Sequence, residues 1–151
     1  MSLFTTLTNE RICQEIDDAK RYVVLAAPGI SAQVASALQQ AHQRLGEGAV
    51  TVVLDVSARV NRLGYGEHAA VEMLNQAGVM VRQHPGLRIG ALICDEAGWS
   101  FASSPRLVEA DPTSDSDAFN AIALTSAQVM VLRTELPPVS QAGSPVIAPE
   151  Y

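Results

Sequence analysis

Apolar residues recur along this chain with two alternating periods, and their order sets out an α/β succession of elements. From Thr8 to Lys20 they fall at Ile12, Ile16 and Ala19, one face of a helix, with Thr8 or Asn9 placed to cap its first amides. Tyr22-Val23-Val24-Leu25-Ala26-Ala27 is a continuous apolar run closed by Pro28-Gly29, the pattern of a strand buried on both faces. Ser31 is placed to cap a second helix whose inner face carries Val34, Leu38, Ala41 and Leu45 and which stops at Gly46 and Gly48. Val50 to Val56 repeats the buried-strand pattern, so the three elements make a right-handed crossover unit.

Ser57 to Gly66 is polar and glycine-bearing, and after it Ala70, Met73, Leu74 and Ala77 mark a third helix ending at Gly78. Val79-Met80-Val81-Arg82 is long enough only for a strand. Arg88 to Cys94 predicts another, Asp95-Glu96-Ala97-Gly98 a tight turn, and Trp99-Ser100-Phe101-Ala102 an antiparallel return strand. After an acidic loop from Glu109 to Asp117, Ala121-Ile122-Ala123-Leu124 predicts a last strand, and Thr125-Ser126 caps a closing helix through Leu132. Residues 1–136 therefore form one domain, a three-layer α/β/α sandwich around a mixed, mostly parallel sheet. Residues 137–151, rich in proline without periodicity, read as a tail or linker that buries too little to offset its ordering entropy, and nothing is built on Met1-Ser2-Leu3.

Composition narrows the functions open to such a domain. A chain of 151 residues, 48% apolar, can bury roughly 68–70% of its unfolded surface without disulfide or metal staples. Its formal charge of −6 disfavours a dedicated nucleic-acid binder, which needs surplus Lys and Arg to displace counterions. Cys13 and Cys94 stand far apart without CxxC or Cys/His spacing; they read as buried thiols of a reducing compartment, with a pairing between them left open. No run approaches the ~20 apolar residues of a membrane helix and no export signal is legible, so the expected location is the cytoplasm.

The order of elements from Ile12 to Leu132 resembles one half of a phospholipase D-like protein. The distributed cues are a helix ending in Ala19-Lys20 before a buried strand and Pro28, a helix ending at Gly48 before a Val-rich strand closing on Asp55, and Gly78-Val79-Met80-Val81 before a hairpin. The family signature is His-x-Lys, four residues, Asp, six residues, Gly-Ser, with Asn shortly after. Anchoring it on Asp95 places Ala102-Ser103 at the Gly-Ser pair and Pro105 or Arg106 at the Asn. The lysine position is then Gly90 and the histidine position Arg88. The resemblance implies that a histidine would attack a phosphodiester while lysines hold its charge, and an always-protonated arginine can replace neither nucleophile nor leaving group. Hydrolysis is therefore not expected.

The resemblance further implies that two halves share one cleft, so a single half would act as a homodimer or with a partner half, as a non-catalytic module for oligomerisation or anion binding. Arg59, Arg62 and Arg88, with Arg106 as a further candidate, could grip a phosphate-containing ligand bidentately; alternatively they pair with the chain's sixteen carboxylates. Two other functions stay open: a phosphodiesterase or nuclease using His84 as a displaced nucleophile, and a nucleotide or phosphate binder at the strand ends. Asp55 either positions a ligand at the carboxyl edge of the sheet or caps a loop. His42, His68 and His84 share no ligand spacing, so neither a metal nor another cofactor is expected. Gly64 to Ala69 matches GxGxxA but does not follow directly from a strand, and Ser103 and Ser104 lack a GxSxG elbow. Trp99 and Phe101 read as core or subunit-interface anchors, and the Asp111 to Asp117 stretch as solvated loop.

Overall fold

The computed structural model describes residues 3–55, 68–79, 81–102, 118–135 and 144–146. Within them the chain forms strands β1 (Phe4–Thr8), β2 (Val23–Ala27), β3 (Val50–Leu54), β4 (Val81–Gln83), β5 (Ile89–Cys94), β6 (Ala97–Ala102), β7 (Ala118–Leu124) and β8 (Ser144–Val146). Four helices accompany them: α1 (Asn9–Asp18), α2 (Ala32–Leu45), α3 (His68–Ala77) and α4 (Ser126–Glu135). All the strands join one sheet in the order β1-β7-β6-β5-β2-β3-β4-β8.

The continuous apolar runs are explained by burial on both faces. Val23, Leu25 and Ala27 of β2 join a core with Ile12 and Ile16 of α1, Leu38 of α2 and Leu74 of α3. The intervening Val24 and Ala26 join a second, smaller core with Val53, Ala91, Ile93 and Val129 of α4. Ile16, Leu38 and Leu74 are wholly buried, each contributing about 1.5–3 kcal/mol over an exposed position. Trp99 and Phe101 belong to the first core, which selects the core reading of that pair.

Local signals act where the spacing placed them. Of the two capping candidates for the first helix, Thr8 is the cap: its hydroxyl accepts from the Arg11 amide at 3.0 Å. The Ser31 hydroxyl accepts from the Val34 amide at 3.2 Å, and α2 ends at Gly46 with φ +100°, a conformation that favours glycine. The reciprocal pair of bonds between Thr125 and Gln128 makes a capping box at the start of α4.

Three expectations are corrected. The sheet is mostly antiparallel: only β2–β3 and β3–β4 are parallel, the two pairs of chain-consecutive strands that are neighbours in the sheet and have a described helix between them, while β1–β7, β2–β5, β4–β8, β5–β6 and β6–β7 run antiparallel. The hairpin loop is two residues, Asp95-Glu96, with Cys94 opposite Ala97, so the return strand begins two residues before Trp99. The stretch after Pro137 adds an element, β8, antiparallel to β4, where it pairs backbone groups of what would otherwise be a sheet edge. Strand β1 was not anticipated; it pairs with β7 from Phe4 opposite Ile122 to Thr8 opposite Ala118.

Candidate functional site

Strands β2 and β3 run parallel and β5 runs against them, so the segment leaving β3 and the segment entering β5 meet at one edge of the sheet. Asp55, one residue past β3, is 3% exposed. Its carboxylate accepts from the Gly86 amide at 3.0 Å and from Arg88 Nη1 at 2.9 Å, and the same Arg88 nitrogen donates to the Leu87 carbonyl at 2.8 Å. A carboxylate withdrawn from water is tolerated only when charged and hydrogen-bonded partners replace its hydration. Arg88 supplies the charge while its own side chain stays 39% exposed. The backbone follows the same logic: Asp55 N–H donates to the Pro28 carbonyl and His84 N–H to the Leu54 carbonyl. Exposed His84 therefore lies on the loop beside Asp55, not on β5.

Gly90 lies inside β5 opposite Phe101 of β6. A Cβ at position 90 would stand 2.3 Å from Phe101 Cε2 and within 2.6 Å of two further ring atoms, so the ring occupies the space a side chain there would need. The ring has little freedom to yield, since Phe101 is 5% exposed and tilts against Phe119 with centroids 5.5 Å apart.

Asp95 is at the opposite end of β5. Its carboxylate accepts from the backbone amides of Lys20 (2.9 Å), Arg21 (2.8 Å) and Tyr22 (3.2 Å), while its own amide donates to the Tyr22 carbonyl at 3.1 Å. Partial burial alone would raise its pKa, but the three amides and the Arg21 guanidinium outweigh that and hold it below the ordinary aspartate value. Asp95 adopts φ +56°, a left-handed conformation that aspartate tolerates better than most side chains. It pins the β5–β6 turn to the entrance of β2 and takes no part in the edge around Arg88.

Of the residues singled out from sequence, Arg88, Asp55 and His84 thus come together. Gly90 is buried within the hairpin, Asp95 lies at the far end, and Ala102 is exposed at the end of β6. Arg59, Arg62, Ser103, Ser104, Arg106, residues 64–67 of the Gly64–Ala69 stretch and the acidic loop from Glu109 lie outside the described residues, while His68 and Ala69 begin α3. Phe101 is the neighbour of Gly90 that spacing did not reveal; the cross-strand register through the two-residue turn was the signal that could have exposed it. Cys13 and Cys94 are both free thiols. Burial, then the charges of Glu15, Asp95 and Asp18, pushes Cys94 up to about 12, and burial followed by Asp17 raises Cys13. Among the described residues no group of three or more His, Cys, Asp or Glu could hold a metal, and no helix is long and apolar enough to cross a membrane.

No protein-family model and no curated protein sequence matches the chain. Its similarity is to solved structures. Nuc, a phospholipase D family member from Salmonella typhimurium, superposes with a TM-score of 0.66 at 16% identity, over 95% of this chain and 98% of that one. TrmBL2, an archaeal chromatin protein whose structure is described as showing a novel mode of DNA binding, superposes with a TM-score of 0.54 at 11% identity, over 89% of this chain and 50% of that one. At these identities the likeness speaks for architecture: the chain has a phospholipase D-like fold.

Proposed function

We propose that this chain is a non-catalytic phospholipase D-like module that assembles with a second half, either another copy or a partner domain of a larger protein, and offers an anion-binding edge. The observation that carries this reading is the pairing of Gly90 with Phe101. Where the resemblance places a phosphate-holding lysine there is no side chain, and an aromatic ring fills the space. Arg88, at the histidine position, is a permanent cation held by Asp55, so neither a nucleophile nor a proton donor stands there. Its side chain as a whole is 39% exposed, and Arg59 and Arg62 follow β3 in the chain. The three are the residues we assign to a phosphate or carboxylate ligand.

The chain matches about half of TrmBL2 and nearly the whole of Nuc, so this fold occurs both as one part of a longer chain and as most of a chain by itself. The net charge of −6 gives the DNA-binding function of TrmBL2 no support here. Location in a reducing compartment fits two free thiols.

Turnover of bis(p-nitrophenyl) phosphate is the direct test. The expected rate equals that of an Arg88→Ala variant and of buffer, and a reproducible excess over both refutes the non-catalytic reading. The hydrolytic alternative rests on His84, which is exposed on the Asp55 edge. It requires a trapped phosphohistidine that disappears in His84→Ala.

A further inference from the structure

At the hairpin end of β6, beside α1, residues of β1, β6 and β7 line an open cleft of about 800 Å³, a volume within the range of small-molecule sites. Leu3, Ala97 and Ala123 give it an apolar lining. Three of its other residues hold donors that the protein leaves unused. Trp99, the single tryptophan of the chain, is 9% exposed. Its indole N–H can only donate, and sealing such a group away without an acceptor is costly. That N–H makes no hydrogen bond in the protein, yet it is not among the polar atoms closed off from solvent. The small part of Trp99 left open therefore includes its donor, and the cleft it lines is where that donor is reached. Arg11 Nε is committed to Glu15 at 2.8 Å, which holds the guanidinium over the Trp99 ring, 5.8 Å from its centroid. The two terminal nitrogens of Arg11 have no partner, and the Thr5 hydroxyl is likewise unbonded.

Unused donors around an apolar lining call for a ligand that brings an acceptor and an apolar body. Charge narrows the acceptor. Arg11 supplies one positive charge and already shares it with Glu15, while Glu96, which Arg21 holds at 3.5 Å, also lines the cleft. A dianion such as phosphate would meet more repulsion than attraction there, whereas a single negative charge is matched by the terminal nitrogens of one guanidinium. We propose that the cleft binds a small carboxylate carrying an apolar group, its oxygens taken by Arg11 and the Trp99 indole N–H and its body set against Leu3, Ala97 and Ala123. The cleft is at the hairpin end of β5 and β6 and Arg88 precedes β5 at the other end, so the inference does not depend on the function proposed above.

Because Trp99 is the only tryptophan, its indole N–H gives one proton resonance that reads the site directly. Titration with 3-phenylpropionate is expected to move that resonance downfield to saturation, with a Kd below about 10 mM. The neutral 3-phenylpropan-1-ol and, at about pH 8, the dianion phenyl phosphate should both bind more weakly. Arg11→Gln should weaken the carboxylate about tenfold or more, since a hydrogen bond to a charged group is lost. Arg88→Ala should leave its affinity unchanged, which separates this cleft from the Arg88 edge. A Kd above about 10 mM, equal or tighter binding of the alcohol or of phenyl phosphate, unchanged affinity in a folded Arg11→Gln, or loss of binding in Arg88→Ala would each overturn the proposal. Should Arg11→Gln fail to fold, the comparison of the three ligands on the parent decides.

Discussion

Gly90 and Phe101 are cross-strand partners in which the ring of one occupies the side-chain space of the other. A substitution at either residue is consequently felt at both. Gly90→Ala is expected to destabilise the fold by about 1–3 kcal/mol, the usual range for overpacking a filled core. The Phe101→Ala background should remove most of that penalty, although it carries a cavity cost of about 3–5 kcal/mol of its own. A double-mutant cycle by urea unfolding measures the coupling. Additive effects would mean that the two sites do not share space and would remove the main support for a filled lysine position.

For the same reason, Arg88→His combined with Gly90→Lys should not generate phosphodiesterase activity while Phe101 is present. The lysine stem has nowhere to lie. Activity in that double variant would show that the ring yields more readily than its packing implies, and initial rates on bis(p-nitrophenyl) phosphate decide the matter.

The ion pair between Asp55 and Arg88 joins a buried carboxylate to an arginine whose side chain is partly exposed. Arg88→Ala should cost about 2 kcal/mol, less than the 3–5 kcal/mol of a fully buried pair because water already screens one side of the arginine. Arg88→Lys should recover part of the loss, as charge survives but the planar fork does not. Denaturant midpoints for the two variants report this order, and an Arg88→Ala protein as stable as the parent would mark the contact as incidental.

Asp95 ties stability to acid pH. Its pKa is lowered in the folded chain, so the unfolded chain takes up a proton first as pH falls. Its contribution is complete above the unfolded aspartate value of about 3.9 and is lost as pH drops through the lower folded value. Asp95→Asn should therefore be less stable than the parent at neutral pH, by about 1–3 kcal/mol, and the difference should shrink in strongly acidic solution. Chemical denaturation of both proteins across the acid range provides the comparison; a gap that is constant with pH would contradict the assignment.

Cys94 should be nearly inert toward iodoacetamide in the native protein at neutral pH. Burial and three nearby carboxylates hold its thiol near 12, leaving almost no thiolate. Its alkylation should follow unfolding, and peptide mass mapping over a denaturant series would reveal whether it labels earlier.

The phospholipase D-like architecture was legible because its elements are encoded locally. The all-apolar stretches around Leu25 and Val52 can only be strands covered on both sides, and the spacing of Val34, Leu38 and Ala41 can only be one helix face. The capping residues Thr8 and Ser31 reinforced those boundaries. Strand direction was harder to read, because an extended run has the same pattern whichever way its neighbour points. Strand β1 escaped notice since Leu7 alone is buried in a threonine-rich segment, and β8 because its order comes from pairing with β4 rather than from its own composition.

For the candidate site, the sequence by itself determined only the residue types: in the alignment we propose on Asp95, Arg88 and Gly90 take the positions where the resemblance would have imidazole and ammonium. Only the tertiary structure decided what surrounds them. Asp55 lies 33 residues from Arg88 in the chain yet 2.9 Å from its guanidinium, and Asp95, the anchor of the motif, turned out to hold three amides at the far end of the strand. Such pairings depend on sheet order and register, which arise from the packing of the whole domain and leave no trace in the spacing along one segment.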